Sequence, residues 1–342
     1  MLPSITERTI VTERHTTFCF EAGPEDGTPI IFVHGWPELA ITWRRQLAAF
    51  AALGFRAIAP DMRGYGRSRC HDRVEDYAME ACVTDLMELL AGLGLEKAVW
   101  VGHDWGAGVV WALASHHPEA CLGVVNLCVP YLPRGFTLGN LVPLVDRSLY
   151  PEDLYPFGQW AYWNYHVEHP NAVSKALGAD VAGAIRLIYR KGDPEAFGKV
   201  SPSALIHAPE GWTPLLALAD KVQVDRDILD ETAHRAYVSA FQRHGFAGGD
   251  NYYRNNEINE AYALQAKNDG RLEMPVLFVH AKYDLTCATV GTRLADPMRH
   301  ACARLTEHVI EAGHRVQQEK PAEFNAALAR WIATQVPEAW PG

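Results

Sequence analysis

The chain has 342 residues, of which 48% are hydrophobic and 21% charged. That is globular composition, with length for two domains or for one large domain carrying an insertion. Formal net charge is −10, from 31 basic and 41 acidic residues, with no basic run, which argues against nucleic acid and anionic membrane surfaces as partners. The seven cysteines (Cys19, Cys70, Cys82, Cys121, Cys128, Cys287 and Cys302) are odd in number, widely spaced and lack a C-x-x-C. Reduced thiols in a cytoplasmic protein are the expectation. The opening MLPSITERTI lacks the basic and apolar blocks of a signal peptide, and no apolar run predicts a membrane span.

Elements alternate along the first part of the chain. Thr16 to Phe20 reads as a strand, and Pro29 to Val33 as another, ending in His34-Gly35-Trp36-Pro37. A helix is expected over Thr42 to Leu53, closed by Gly54, then a strand over Phe55 to Ala59 that ends at Pro60-Asp61. Tyr77 to Leu93 places Val83, Leu86, Leu89, Leu90 and Leu93 on one helical face. Ala98 to Val101 is a strand, Trp105 to Ser115 a helix and Val124 to Val129 a strand. Such alternation predicts an α/β fold whose mostly parallel sheet is covered by helices on both faces.

The pattern changes at Pro130. Prolines 130, 133, 143, 151 and 156 break the chain, aromatics crowd Tyr155 to Tyr165, and the periodicity is helical to about Leu264. Alternation resumes with strands at Pro275 to His280 and Arg304 to Ile310 and a last helix at Pro321 to Thr334. The expected organisation is a core domain of residues 1–130 and 271–342, interrupted by a helical cap over 131–270. In open α/β sheets ligands bind beyond the carboxyl ends of the strands, so the insertion would lie over the site as a lid.

Three candidate catalytic residues fall just after predicted strands: Asp104, Asp284 and His314. Their chain order, nucleophile then acid then histidine, is that of the α/β-hydrolase triad. Gly102 and Gly106 keep bulk away from the sharp strand-to-helix turn that such a nucleophile requires. Taken singly, Asp104 would be a helix N-cap, Asp284 a turn residue and His314 one of 15 histidines. Their joint placement favours the triad.

An ionised carboxylate needs no base to attack. On esters or amides it would form an anhydride, so its natural target is a saturated carbon bearing a strained or departing group. The product is an alkyl ester, and His314, oriented by Asp284, would then activate water against its carbonyl. This leaves two leaving groups, an epoxide oxygen or a halide.

The sequence resembles the epoxide hydrolases of the α/β-hydrolase fold. His34-Gly35-Trp36-Pro37 matches their HGxP motif, Asp61 to Ser68 (DMRGYGRS) their DxRGYGxS stretch, and Gly102 to Gly106 (GHDWG) their nucleophile elbow. The match covers the two sheet segments almost fully and the insertion in patches. The resemblance implies that HGxP supports an oxyanion hole, commonly with a cis bond before its proline, and that the backbone N–H groups of Trp36 and Trp105 are the donors. His34, Gly35 and Pro37 would support that loop, and Asp61 to Ser68 would stabilise the fold.

It also implies two proton-donating cap tyrosines. Asn251-Tyr252-Tyr253-Arg254-Asn255 resembles the segment whose second aromatic is a donor, giving Tyr253, with Tyr252 packing beside it. Tyr162-Trp163-Asn164-Tyr165-His166 resembles the other donor's segment, with Tyr162 in its place and Tyr165 as a competitor. An epoxide oxygen leaves as alkoxide and needs such phenols, whereas a halide needs only weak polar contacts. Asn126 lies where some relatives approach their triad acid, but an amide cannot supply the charge. Arg315 stands where the family often has an aromatic, which puts the shape or charge of one site wall in question.

The expected function is hydrolysis of an epoxide to a vicinal diol through an ester on Asp104, with no cofactor and no metal. His116-His117 lacks metal-site spacing and suits a helix C-terminus. The alternatives are a haloalkane or haloacid dehalogenase with the same nucleophile, and a non-catalytic small-molecule receptor. An ester hydrolase is disfavoured without a serine at the elbow. Oligomeric state is left open, a homodimer included.

Overall fold

The computed structural model describes residues 4–342. An eight-stranded sheet has the order β1-β2-β4-β3-β5-β6-β7-β8. These strands are Thr6–Val11, Thr16–Ala22, Pro29–Val33, Arg56–Pro60, Ala98–His103, Cys121–Leu127, Leu272–Ala281 and Cys302–Ile310 in chain order. β1 and β2 pair antiparallel with each other, β2 pairs antiparallel with β4, and all remaining pairs are parallel. β4 and β5 are buried along their whole length, which is why, Arg56 and His103 aside, they read as apolar runs.

Helices α1 (Arg44–Ala52), α2 (Met79–Gly92) and α3 (Trp105–His116) connect the early strands, and Pro321–Gln335 closes the chain. A run of helices and turns spans residues 138–270 between β6 and β7, and no strand interrupts it. Among the described residues no helix is long and apolar enough to cross a membrane.

Sequence expectations differ in detail; β6, for example, runs over Cys121–Leu127 rather than Val124 to Val129. The first helix begins with a tight turn, Ala40–Trp43, before α1 proper. Strand β1 was absent from the expected elements. Its residues TERTIV are exposed or half-buried throughout, so this edge strand buries no alternating apolar face to announce it.

Strand order positions the site. β4 and β5 follow β3 in sequence but flank it on opposite sides, so the chain switches direction at the β3–β5 pair. A crevice opens beyond the carboxyl ends of strands at such a point. Val33 is in register with Gly102, so the turns that follow, HGWP and the Asp104 elbow, lie side by side. Farther along, Ala281 is in register with Ile310, which brings the loops bearing Asp284 and His314 to the same end of the sheet.

Candidate active site

Asp104 sits between β5 and α3 with φ 53° and ψ −126°, a left-handed backbone that costs a non-glycine residue strain. Close packing enforces the turn. A Cβ on Gly106 would fall 2.3 Å from the Val33 carbonyl oxygen, and one on Gly102 would fall 2.4 Å from Asn126 Oδ1. Asn126 thus packs against the elbow and carries no triad charge. On the facing loop, a Cβ on Gly35 would fall 2.3 Å from Asp104 Oδ1 and 2.6 Å from the Trp105 nitrogen.

That loop presents the Trp36 N–H, which donates to Asp104 Oδ1 at 2.5 Å. The Trp105 N–H is the first of α3 and has no carbonyl partner within the helix. Of the two expected oxyanion donors, the Trp36 N–H thus meets the carboxylate, and the Trp105 N–H belongs to the residue directly after Asp104. The Trp36–Pro37 bond is cis. His34 is buried, accepts from the Met62 N–H at Nε2 (2.9 Å) and donates from Nδ1 to the Gly35 carbonyl (2.9 Å), tying HGxP to the DMRGYGRS stretch. The Pro37 carbonyl accepts from the Tyr189 hydroxyl at 2.7 Å. Asp61 accepts from the Ala40 and Arg67 amides, a fold-stabilising role.

His314 lies between two carboxylates. Its Nδ1 is 2.6 Å from Asp284 Oδ2 and its Nε2 is 3.3 Å from Asp104 Oδ2. Asp284 is buried, and its Oδ1 accepts from the Thr286 and Cys287 amides at 3.0 and 2.9 Å. Burial pushes both carboxyls up, but His314 more than offsets it and holds Asp104 and Asp284 below the usual carboxylate range. Burial opposes charge on His314 too, yet the Asp284 charge and the hydrogen bonds to both aspartates hold it well above the ordinary histidine value. Since both ring nitrogens face acceptors, the resting imidazole carries two protons.

A second buried unit underlies this one. Glu38, directly after HGxP, is fully buried, and its carboxylate accepts from the Gly35 N–H (3.0 Å), His103 Nδ1 (3.0 Å) and Arg315 Nη1 (2.6 Å). His103 Nε2 donates to the His314 carbonyl at 2.7 Å, and Arg315 Nη2 donates to the Trp36 carbonyl at 3.2 Å. Burial disfavours charge on His103, but the Glu38 carboxylate prevails and raises it to about 9. The same burial pushes Glu38 up, and His103 and Arg315 outweigh it and lower it. One carboxylate thereby ties together the oxyanion loop, the nucleophile elbow and the histidine loop. The sequence reasoning missed Glu38 and His103. The available signal was an acid in the run Trp36-Pro37-Glu38-Leu39-Ala40, which needs a buried cation, with Arg315 beside the triad histidine. Arg315 does line the cavity, as the question about that wall anticipated, with its guanidinium bonded to Glu38 and stacked over Tyr189 at 4.6 Å.

Asp104, Asp284, His314, Trp36, Tyr162 and Tyr253 line one cavity of about 450 Å³ between the sheet and the helical region. Tyr162 stands on the helix Ala161–Glu168 and Tyr253 on the turn Asn251–Arg254, with ring centroids 5.7 Å apart. Burial raises both phenols well above their ordinary value, so both stay protonated. Trp105 meets Tyr253 edge-on at 4.9 Å, and the Trp163 indole donates to the Tyr253 carbonyl at 2.9 Å, which fixes that turn. Tyr165 does not reach this cavity. It packs against Gly211 and His169 on another side of its helix. Tyr252 also turns away, donating to the Arg63 carbonyl at 3.0 Å.

Metal-ligating atoms crowd together twice here, in His103–Cys128–His314 and Asp284–Cys287–His314, with donors within 4.8 Å of one another. The His314 nitrogens already face Asp284 and Asp104, and burial pushes the Cys287 thiol well up, leaving a neutral sulfur that is a poor ligand. His116 instead bonds to the carbonyls of Ala112 and Tyr262 at its helix end.

Residues 28–155 match the family model described as the alpha/beta hydrolase fold. The chain is 33% identical over 333 residues to epoxide hydrolase A of Mycobacterium tuberculosis (strain ATCC 25618 / H37Rv), across 96% of this chain and 97% of that one. It is 34% identical over 317 residues to an epoxide hydrolase of Caballeronia sordidicola, across 90% of this chain and 88% of the relative. Among solved structures, epoxide hydrolase A from Mycobacterium thermoresistibile superposes with a TM-score of 0.78 at 30% identity, covering 97% of this chain and 99% of that one.

Proposed function

The chain belongs to the epoxide hydrolases of the α/β-hydrolase fold, and on that premise we propose that it opens an epoxide with Asp104 and hydrolyses the resulting ester to a vicinal diol. Residues 1–130 with 271–342 act as the core domain and 131–270 as the cap. The observation that carries this reading is the pair of protonated phenols, Tyr162 half-buried and Tyr253 buried, in the same cavity as the Asp104 carboxylate.

In the first step Asp104 Oδ2, on the His314 side of the carboxylate, attacks an epoxide carbon and breaks its bond to oxygen. The leaving oxygen takes a proton from a cap tyrosine as charge develops on it. An epoxide oxygen needs that proton and a halide does not, so the phenol pair favours epoxide over haloalkane. Asp104 Oδ1 meanwhile stays on the Trp36 N–H.

Ester formation changes His314. The resting imidazolium is held by two carboxylates, and alkylation of Asp104 removes the charge of one of them. His314 can then release its Nε2 proton to reprotonate the tyrosinate through solvent. The neutral Nε2, oriented by Asp284 at Nδ1, draws a proton from water as the water oxygen attacks the ester carbonyl. The oxyanion rests on the Trp36 and Trp105 amides, each worth about 2.7–4 kcal/mol by the usual loss on removing one such donor. As the intermediate collapses, its bond to the diol oxygen breaks, His314 gives its proton to that leaving oxygen, and the proton left on the new carboxyl passes to His314, which restores the Asp104 carboxylate and the imidazolium.

The test is single-turnover reaction in ¹⁸O-water, with mass analysis of the peptide bearing Asp104. Attack on the ester carbonyl puts label into the Asp104 carboxylate, whereas label confined to the diol would mean that water opens the ring directly. His314→Gln should stop after ring opening and accumulate the ester. An epoxide and a haloalkane offered side by side distinguish the two leaving groups. The reading includes a small-molecule epoxide as substrate and a cytoplasmic location, the latter supported by seven free cysteines, six of them buried.

A further inference from the structure

Behind the cavity wall lies a buried carboxylate that the reaction above does not use. Asp250 is 1% exposed, at the end of the short helix Ala247–Asp250. Its Oδ1 accepts from the Trp36 indole Nε1 at 3.2 Å, and its Oδ2 accepts from the Ser174 hydroxyl at 2.7 Å. Trp36 belongs to the oxyanion loop of the core, and Ser174 to the cap helix Pro170–Ala179. The carboxylate thus bonds one donor from each side of the seam.

His166 completes the cluster. The Trp212 indole, a donor only, bonds to His166 Nε2 at 3.1 Å, which leaves the ring proton on Nδ1. That Nδ1 is buried without a hydrogen-bond partner and lies 3.6 Å from Asp250 Oδ1. The His166 ring packs on Tyr253 at 4.5 Å, and Trp36, Trp212 and Tyr253 all line the reaction cavity. A buried carboxylate with two neutral donors and no touching cation is costly as pure architecture.

We propose that Asp250 is a positioning residue for ring opening: when ionised it draws the Trp36 indole and the Ser174 hydroxyl onto one carboxylate and fixes oxyanion loop and cap in a single arrangement over Asp104. Hydrogen bonds to an ionised acceptor are shorter and roughly twice as strong as neutral ones, so its proton loosens the seam. The inference rests on the ring-opening reading above.

Burial raises Asp250 to about 7, against the Ser174 and Trp36 hydrogen bonds and the more distant Arg254 charge. The other groups facing it stay fixed around neutrality. Burial lowers His166 to about 3, and Tyr65, whose hydroxyl approaches Gly249 from the core, is raised well above its ordinary value. Ring opening does not call on His314 as a base, so its rate reads Asp250 apart from the hydrolytic step.

Two measurements on the full chain test this. Tryptophan fluorescence of the free protein, titrated from about pH 5 to 9, should show a transition near 7 that Asp250→Asn abolishes. Rapid-quench ring opening of styrene oxide should accelerate about fivefold through the same transition, the effect of roughly 1 kcal/mol of hydrogen bonding, and be flat at the low-pH rate in Asp250→Asn. Removing one donor with Ser174→Ala should move the transition to higher pH, which decides the matter if Asp250→Asn does not fold. A transition that survives in Asp250→Asn, is absent from the wild type, or stays unmoved in Ser174→Ala overturns the proposal. Failure of the wild type to form any diol would instead strike the epoxide reading, while the fluorescence titration still tests Asp250.

Discussion

The two halves of the cavity hold their reactive groups by different means. On the core side Asp104, His314 and the Trp36 amide are fixed by strand-end backbone and by buried charge, with Glu38, His103 and Arg315 bonded beneath them. On the cap side Tyr162 and Tyr253 are held mainly by aromatic faces, with Trp105, Trp163 and His166 around Tyr253. On the proposed mechanism the difference follows from the tasks. A carboxylate nucleophile and an imidazolium need fixed charges of known sign nearby. A phenol that donates a proton needs burial, which keeps it neutral, and freedom from anything that would ionise it early.

The comparison can be broken most severely at the nucleophile. Asp104→Asn should lower diol formation by about 10⁴-fold or more, the scale on which loss of a member of such a catalytic unit acts, with slow recovery only as deamidation restores aspartate. Retained turnover in freshly purified variant would remove the core side from the chemistry. On the cap side, Tyr253→Phe should slow ring opening by about 10²–10⁴-fold while leaving the melting temperature close to that of the wild type. An unchanged single-turnover rate would make that phenol a packing residue.

Glu38→Gln tests the buried charge beneath the core half. It leaves His103 and Arg315 without their anion and should cost about 3–5 kcal/mol in denaturant unfolding, the usual penalty for breaking a buried pair. A loss below about 1 kcal/mol, as for a surface pair, would contradict the central place given to that carboxylate. The smallest effect is the pH dependence of the same unit. His103 is raised from 6.5 to about 9 in the fold, so its stabilising contribution is complete below 6.5 and is lost as pH rises through about 9. Glu38, lowered in the fold, loses its contribution only under acid conditions. Melting temperature should therefore fall on the alkaline side in the wild type and fall less in Glu38→Gln; parallel curves would dissociate His103 from Glu38.

These regions were also unequally readable. The elbow was legible because its requirements are local: a β run, small residues at 102 and 106 and a helix start are contiguous. Asp284 and His314 were legible because each follows its own strand, and parallel strands deliver their ends to one edge. The cap was less so. Tyr162 and Tyr165 are both aromatic on one short helix, and only packing turns the first into the cavity and the second toward Gly211. Strand β1 escaped notice because hydrophobic alternation reports burial, and this edge strand buries almost nothing.

By itself, then, the sequence determined the order of strands and helices, the turn at Asp104 and the identity of the three strand-end residues, since these depend on neighbours a few positions away. Tertiary structure alone decided which tyrosine faces the nucleophile, that Arg315 points inward, and that Glu38 meets partners 65 and 277 residues distant. The physical reason is that a buried charge is tolerable only where an opposite charge arrives in space, and nothing along the chain records that arrival.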